Sequence, residues 1–166
     1  MRVVNSPSGK NALSWRWRGI GGLTSVADFA NPVIGPTGFR LCIYDLSAGV
    51  PTLKFGARAP GAGLCKLGKP CWKTTSTGYR YADGNMIPDG LSNAVLTAGV
   101  MDKAKLSVTG KGPNLHMPAP VGTGVFKPDS PITVQFVRGD GGVCWESVFS
   151  VPAKKNQLPI FRDTLP

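Results

Sequence analysis

The sequence predicts an all-β protein, an antiparallel β-sandwich of about eight strands with jelly-roll or Ig-like character and little helix. Three observations carry this. The 166-residue chain holds 22 Gly and 15 Pro, which punctuate turns and interrupt helices. Its acidic set contains a single glutamate, Glu146, so strong helix formers are scarce. Its apolar residues recur with period two on one side of each segment, and such one-sided strands need a second sheet to cover them.

In chain order, Leu13, Trp15 and Trp17 alternate with Ser14, Arg16 and Arg18, a half-buried strand with a basic outer side. A short helix of one or two turns, the only helix candidate, is expected within Leu23 to Phe29, closed by Asn31-Pro32. Phe39, Leu41 and Ile43 alternate with Arg40, Cys42 and Tyr44 and stop at Asp45; Thr52 to Phe55 follows, then a loop from Gly56 to Gly68. Trp72 to Tyr81 reads as a strand or a hairpin, with Gly78 as a candidate bulge. Ala94 to Thr97, Lys103 to Val108, Ile132 to Val137 and Val143 to Val151 complete the set. Gly139-Asp140-Gly141-Gly142 is the strongest hairpin signal and pairs the last two. Residues 1–151 therefore form one domain. Residues 152–166, with three prolines, are expected as an extended arm rather than a packed strand. Its Lys154, Lys155, Leu158, Ile160 and Phe161 are candidate assembly contacts.

No stretch reaches the roughly 18 apolar residues of a membrane span, and the first residues lack the apolar run of a signal peptide. Four cysteines permit two bridges. The Cys65/Cys71 spacing favours a local disulfide over a metal site, which would need further ligands. Cys42 and Cys144 are the second candidate pair, the alternative being two buried thiols. A leader removed before the mature start would reconcile disulfides with the missing signal.

The sequence holds no recognisable catalytic constellation. The only histidine, His116, lies in Asn114-Leu115-His116-Met117-Pro118 without a nucleophile motif. Glu146 sits in a strand beside Trp145, and the aspartates fall mainly at turns. Asp83, Asn85 and Asp89 are weak calcium candidates whose spacing departs from an EF-hand. The glycine clusters lack the phosphate-binding context, so no cofactor is implied. Net charge is +10, which attracts anionic polymers without selecting among them, and along the sequence it is spread rather than clustered. Strand geometry separates the aromatics and arginines of each segment onto opposite sides. Trp72, Tyr79 and Tyr81 remain candidates for stacking on sugar rings.

Lys69-Pro70-Cys71-Trp72, Gly78-Tyr79-Arg80-Tyr81 with Asp83, Asp89-Gly90, Leu96-x-Ala98-Gly99, Thr109-Gly110-Lys111-Gly112 and Cys144-Trp145 occur in an order that resembles an uncharacterised β-rich module of secreted or cell-surface proteins from environmental bacteria. The resemblance spans about residues 10–151. It implies extracellular placement, oxidised cysteines and a β-rich fold, and carries no catalytic residue. The expected function is that of a non-catalytic extracellular structural or adhesive protein acting through self-assembly or surface interaction. Its partner would be a second copy of itself or a polysaccharide, anionic or neutral. A carbohydrate-binding module using aromatic stacking is the alternative, and a basic nucleic-acid-binding or capsid-type protein, the less favoured partner, comes after it.

Overall fold

The computed structural model describes residues 1–47, 49–118, 124–126 and 129–164. Every strand pairing in it is antiparallel. The described residues form fourteen strands: β1 (Arg2–Val4), β2 (Ala12–Arg18), β3 (Leu23–Thr24), β4 (Phe39–Asp45), β5 (Thr52–Ala59), β6 (Trp72–Thr75), β7 (Gly78–Ala82), β8 (Leu91–Thr97), β9 (Gly99–Val100), β10 (Lys105–Lys111), β11 (Ile132–Arg138), β12 (Cys144–Phe149), β13 (Lys155–Gln157) and β14 (Ile160–Arg162). An eight-stranded sheet runs β13-β14-β1-β2-β10-β8-β7-β6, a four-stranded sheet runs β12-β11-β4-β5, and β3 and β9 make a small ribbon. No described helix is long and apolar enough to cross a membrane.

The expected alternation is what packs the two sheets together. Leu13 and Trp15 of β2, Phe39, Leu41 and Ile43 of β4, and Ile132, Val134 and Phe136 of β11 are all buried. The aromatic rings among them interlock across the interface. Trp15 of the large sheet meets Phe136 of the small one at 6.3 Å; Phe39 stacks on Phe136 at 5.1 Å and meets Trp72 at 5.3 Å. Trp15 Nε1 also donates to Ser147 Oγ across the interface, at 3.3 Å. Each aromatic pair adds about 0.5–1.5 kcal/mol beyond the area it buries.

The turn or two of helix expected within Leu23 to Phe29 is a single 3-10 turn, Val26–Phe29, with Leu23–Thr24 in β3. A Ser25/Asp28 capping box closes it, with the Ser25 amide donating to Asp28 Oδ2 at 2.7 Å. It delivers Phe29 to the core between Tyr79 and Trp145. Strand β5 continues through Ala59, so the following loop starts later than Gly56. Gly78 is no bulge: it pairs in register with Thr75 and Thr97. Its φ is +154°, and a Cβ there would stand 2.1 Å from the Leu96 carbonyl oxygen, so glycine lets two strands approach.

A further correction concerns the tail. Instead of a free arm, Lys155–Gln157 and Ile160–Arg162 fold into a hairpin, and β14 pairs with β1 at the edge of the large sheet. Pro152 and Pro159 fall outside the paired residues: Pro152 precedes β13 and Pro159 sits at the turn, where its carbonyl accepts the Asn5 amide at 2.8 Å. No ladder donor is lost. Phe161 is buried and Ile160 half-buried, while Lys154, Lys155 and Leu158 are exposed.

Candidate functional site

In an antiparallel ladder, residues directly opposite one another share a face. The pairing of the eight-stranded sheet therefore determines what its outer face carries. One row across the strands reads Lys73, Arg80, Val95, Ser107, Arg16. The row on one side of it reads Thr75, Gly78, Thr97, Lys105, Arg18. The row on the other reads Ala82, Asn93, Thr109, Ser14, Arg2, Arg162, Lys155. Lys111, opposite Ala12, lies beyond that. All nine cations are exposed, and none of the eight strands contains an Asp or Glu. The charge that is spread along the sequence is thus gathered by the fold.

Several of these cations face each other directly: Arg18 opposite Lys105, Lys73 opposite Arg80, and Arg2 opposite Arg162, itself opposite Lys155. Like charges at such positions destabilise a sheet. The ion pairs among the described residues, Lys54–Asp45, Arg58–Asp89 and Arg138–Asp140, all lie off this face. The outer face is therefore an unneutralised, hydroxyl-studded basic surface. At a strand spacing of about 4.8 Å it is roughly 30 Å wide. Three shallow depressions lie along it. One of about 470 Å³ is lined by Arg2, Arg16 and Arg162, and one of about 410 Å³ by Arg16, Arg18 and Lys105. A third, of about 530 Å³, is lined by Lys66, Lys69, Lys73 and Lys111.

The stacking candidates are not on the surface. Trp72 and Tyr81 are each 1% exposed and Tyr79 is 7% exposed. Trp72 packs against Tyr81 at 5.1 Å and donates Nε1–H to the Pro60 carbonyl at 2.7 Å. The Tyr81 hydroxyl donates to Asp83 Oδ2 at 3.4 Å, and burial together with the Asp83 and Asp89 carboxylates pushes its pKa up. None of the 7 Phe, 4 Trp and 3 Tyr is an exposed residue.

The calcium candidates serve other purposes. Buried Asp83 accepts the Asn85 amide at 2.8 Å and the Ile87 amide at 2.9 Å, fixing its own loop. Asp89 is held by Arg58, whose Nε donates to Oδ2 at 2.8 Å. Burial alone would raise the Asp89 pKa, but the hydrogen bonds from Arg58 prevail and hold it below the ordinary carboxylate range. Asp83, Asn85 and Asp89 do not form a ligand set, and among the described residues no three His, Cys, Asp or Glu side chains could hold a metal ion. His116 is exposed in its loop, and Glu146 accepts from Gln135 on the outer side of the small sheet.

Cys65 and Cys71 form a disulfide with their Cα atoms 5.0 Å apart. The second pairing is corrected: Cys42 and Cys144 are both free, Cys42 buried and Cys144 exposed. Cys42 lies opposite Gln135 and Cys144 opposite Val137, so β11 stands between them. Two strand spacings and a two-residue offset along the strands put their Cα atoms roughly 12 Å apart, beyond the roughly 7 Å a disulfide spans. Burial, with Glu146 and Cys42 nearby, raises the Cys144 pKa. The short loop closed by Cys65–Cys71 predicts that the C65S/C71S variant loses about 2 kcal/mol of stability. Chemical denaturation measures this; an unchanged midpoint with an unchanged slope would refute it.

The alternating pattern on its own turns Arg16, Arg18, Arg80 and Lys105 outward, but does not reveal that they share one face. The others join it through pairings between segments distant in sequence, for which only the finished sheet order is a guide. Comparison of the chain with protein-family models, curated proteins and solved structures finds no match, so the geometry of this face is what a functional reading has to stand on.

Proposed function

We propose that the chain is a non-catalytic extracellular β-sandwich that works by surface interaction, holding an extended acidic polysaccharide across the outer face of its eight-stranded sheet. The observation that carries the reading is nine exposed cations, and no Asp or Glu, within the strands of one broad face, with cations set directly opposite cations. An anionic chain lying there would remove the repulsion that the free protein bears. The Cys65–Cys71 disulfide suits an oxidising compartment. Binding of neutral sugars by aromatic stacking is disfavoured because every ring is withdrawn from full exposure. For the same reason single-stranded nucleic acid, which is held largely by stacked aromatics, fits less well.

The test compares dextran sulfate, polygalacturonate, uncharged dextran and a DNA duplex at fixed low salt. Wild-type protein is expected to bind both acidic polysaccharides, to ignore dextran and to release as salt rises. Near an anionic surface each cation contributes about 1 kcal/mol, so R16S/R18S/K105S should weaken binding about a hundredfold with no loss of melting temperature, the Arg18–Lys105 repulsion being relieved. Equal retention on uncharged dextran, or tighter binding to DNA than to either polysaccharide, would overturn the reading.

A further inference from the structure

The basic face is not uniform. Arg18 opposes Lys105 and Lys73 opposes Arg80, and the depression beside the disulfide loop gathers lysines. The depression of about 470 Å³ differs in that, among the described residues, its cationic side chains are all arginines, Arg2, Arg16 and Arg162, with the Met1 ammonium also in the lining but donating to the Asp163 carbonyl at 2.6 Å. The pairing explains how they meet. Arg2 of β1 lies directly between Ser14 of β2 and Arg162 of β14. Strand β1 covers β2 only over Ala12–Ser14, so the edge of β2 is open beyond Ser14 on that side. Arg16, two residues further along the same face, stands beside this opening. Ser14 and Thr164 add hydroxyls to the lining. The one carboxylate among the described residues of the lining, Asp163, is buried and accepts the Thr164 amide at 2.8 Å.

We infer that this depression is the specificity-determining subsite of the polysaccharide face, taking a tetrahedral oxyanion ester carried on the polymer, a sulfate or phosphate monoester, in preference to a carboxylate. The inference rests on the polysaccharide reading above. A guanidinium is a planar fork that grips an oxyanion with paired donors, whereas an ammonium acts as a point charge. Three guanidiniums around one depression match the three terminal oxygens of a monoester, one to each fork. A carboxylate offers two oxygens and leaves the third arginine facing its neighbours unrelieved. The lysine-containing parts of the face supply attraction of the less selective kind.

The experiment compares dextran sulfate, phosphorylated dextran and polygalacturonate of similar charge density, at one salt concentration, by titration calorimetry. Three variants are used: R16S/R162S; R16K/R162K, which keeps the charge; and K73S/R80S, which removes the same charge elsewhere on the face. The substituted side chains are exposed, and melting temperatures check that the fold is kept. Wild-type protein should prefer an ester polymer over polygalacturonate by about tenfold or more, one good paired contact being worth that much; the two ester arms tell sulfate from phosphate. R16K/R162K should lose this preference while keeping its affinity for polygalacturonate. K73S/R80S should weaken all three polymers alike and keep the preference. No preference in the wild type, or a preference that survives in R16K/R162K, overturns the subsite but leaves the polysaccharide face standing. Failure of the wild type to bind any of the three overturns both.

Discussion

Trp72→Ala is expected to destabilise the protein by about 3–5 kcal/mol, the range for emptying a large aromatic site in a core. The ring is 1% exposed and touches both sheets, meeting Tyr81 at 5.1 Å and Phe39 at 5.3 Å. Its indole N–H is also the partner of the Pro60 carbonyl. Truncation opens a cavity and leaves that carbonyl short of a donor, and both effects have the same sign. A sugar-stacking tryptophan would behave in the opposite way, with binding lost and stability kept. Denaturant unfolding and dextran sulfate titration separate the two outcomes. The structure requires a large loss of stability, with affinity preserved under conditions where the variant is folded. A loss below about 1 kcal/mol would be incompatible with a ring packed in this way.

The contrast shows where the sequence is legible and where it is not. Alternation places Leu13, Trp15, Phe39, Leu41, Ile132 and Phe136 in the core because each lies in a strand of seven residues, long enough for period two to show. The Gly139–Gly142 hairpin and the Cys65–Cys71 bridge are local and are read locally. Trp72 begins a strand of four residues whose remaining three are exposed, so the pattern there has one buried member and no period. The Cys42–Cys144 pair fails for another reason. Both cysteines lie on the strands expected, but the intervening place of β11 is a property of sheet order, and alternation says nothing about order. The basic face has the same origin. Arg2 and Arg162 are opposite one another only because the chain ends meet in β1 and β14, and no window of sequence contains both.

That meeting of the ends sets the second large expectation, that removing residues 152–166 unfolds or severely destabilises the protein rather than releasing a dispensable arm. The hairpin β13–β14 covers the outer edge of β1, whose Val3 is fully buried opposite Phe161. Phe161 in turn meets Phe126 edge-on at 5.0 Å, and Asn156 Oδ1 accepts the Phe126 amide at 3.2 Å. Phe161→Ala alone should cost about 3–5 kcal/mol, and the truncation should cost more because β1 also loses its ladder to β14. An arm made for assembly predicts otherwise: the truncated chain would keep its unfolding midpoint while its solution mass fell. Light scattering and denaturation on the same samples distinguish the two, with Phe161→Ala as the milder variant should the truncation not be recovered folded. If the truncated chain does fold, the polymer assay still discriminates. The segment supplies Arg162 and Lys155 to the basic face, so its loss should weaken binding to dextran sulfate more than binding to polygalacturonate. One short hairpin would then both close the edge of the sheet and complete the arginine cluster on its face.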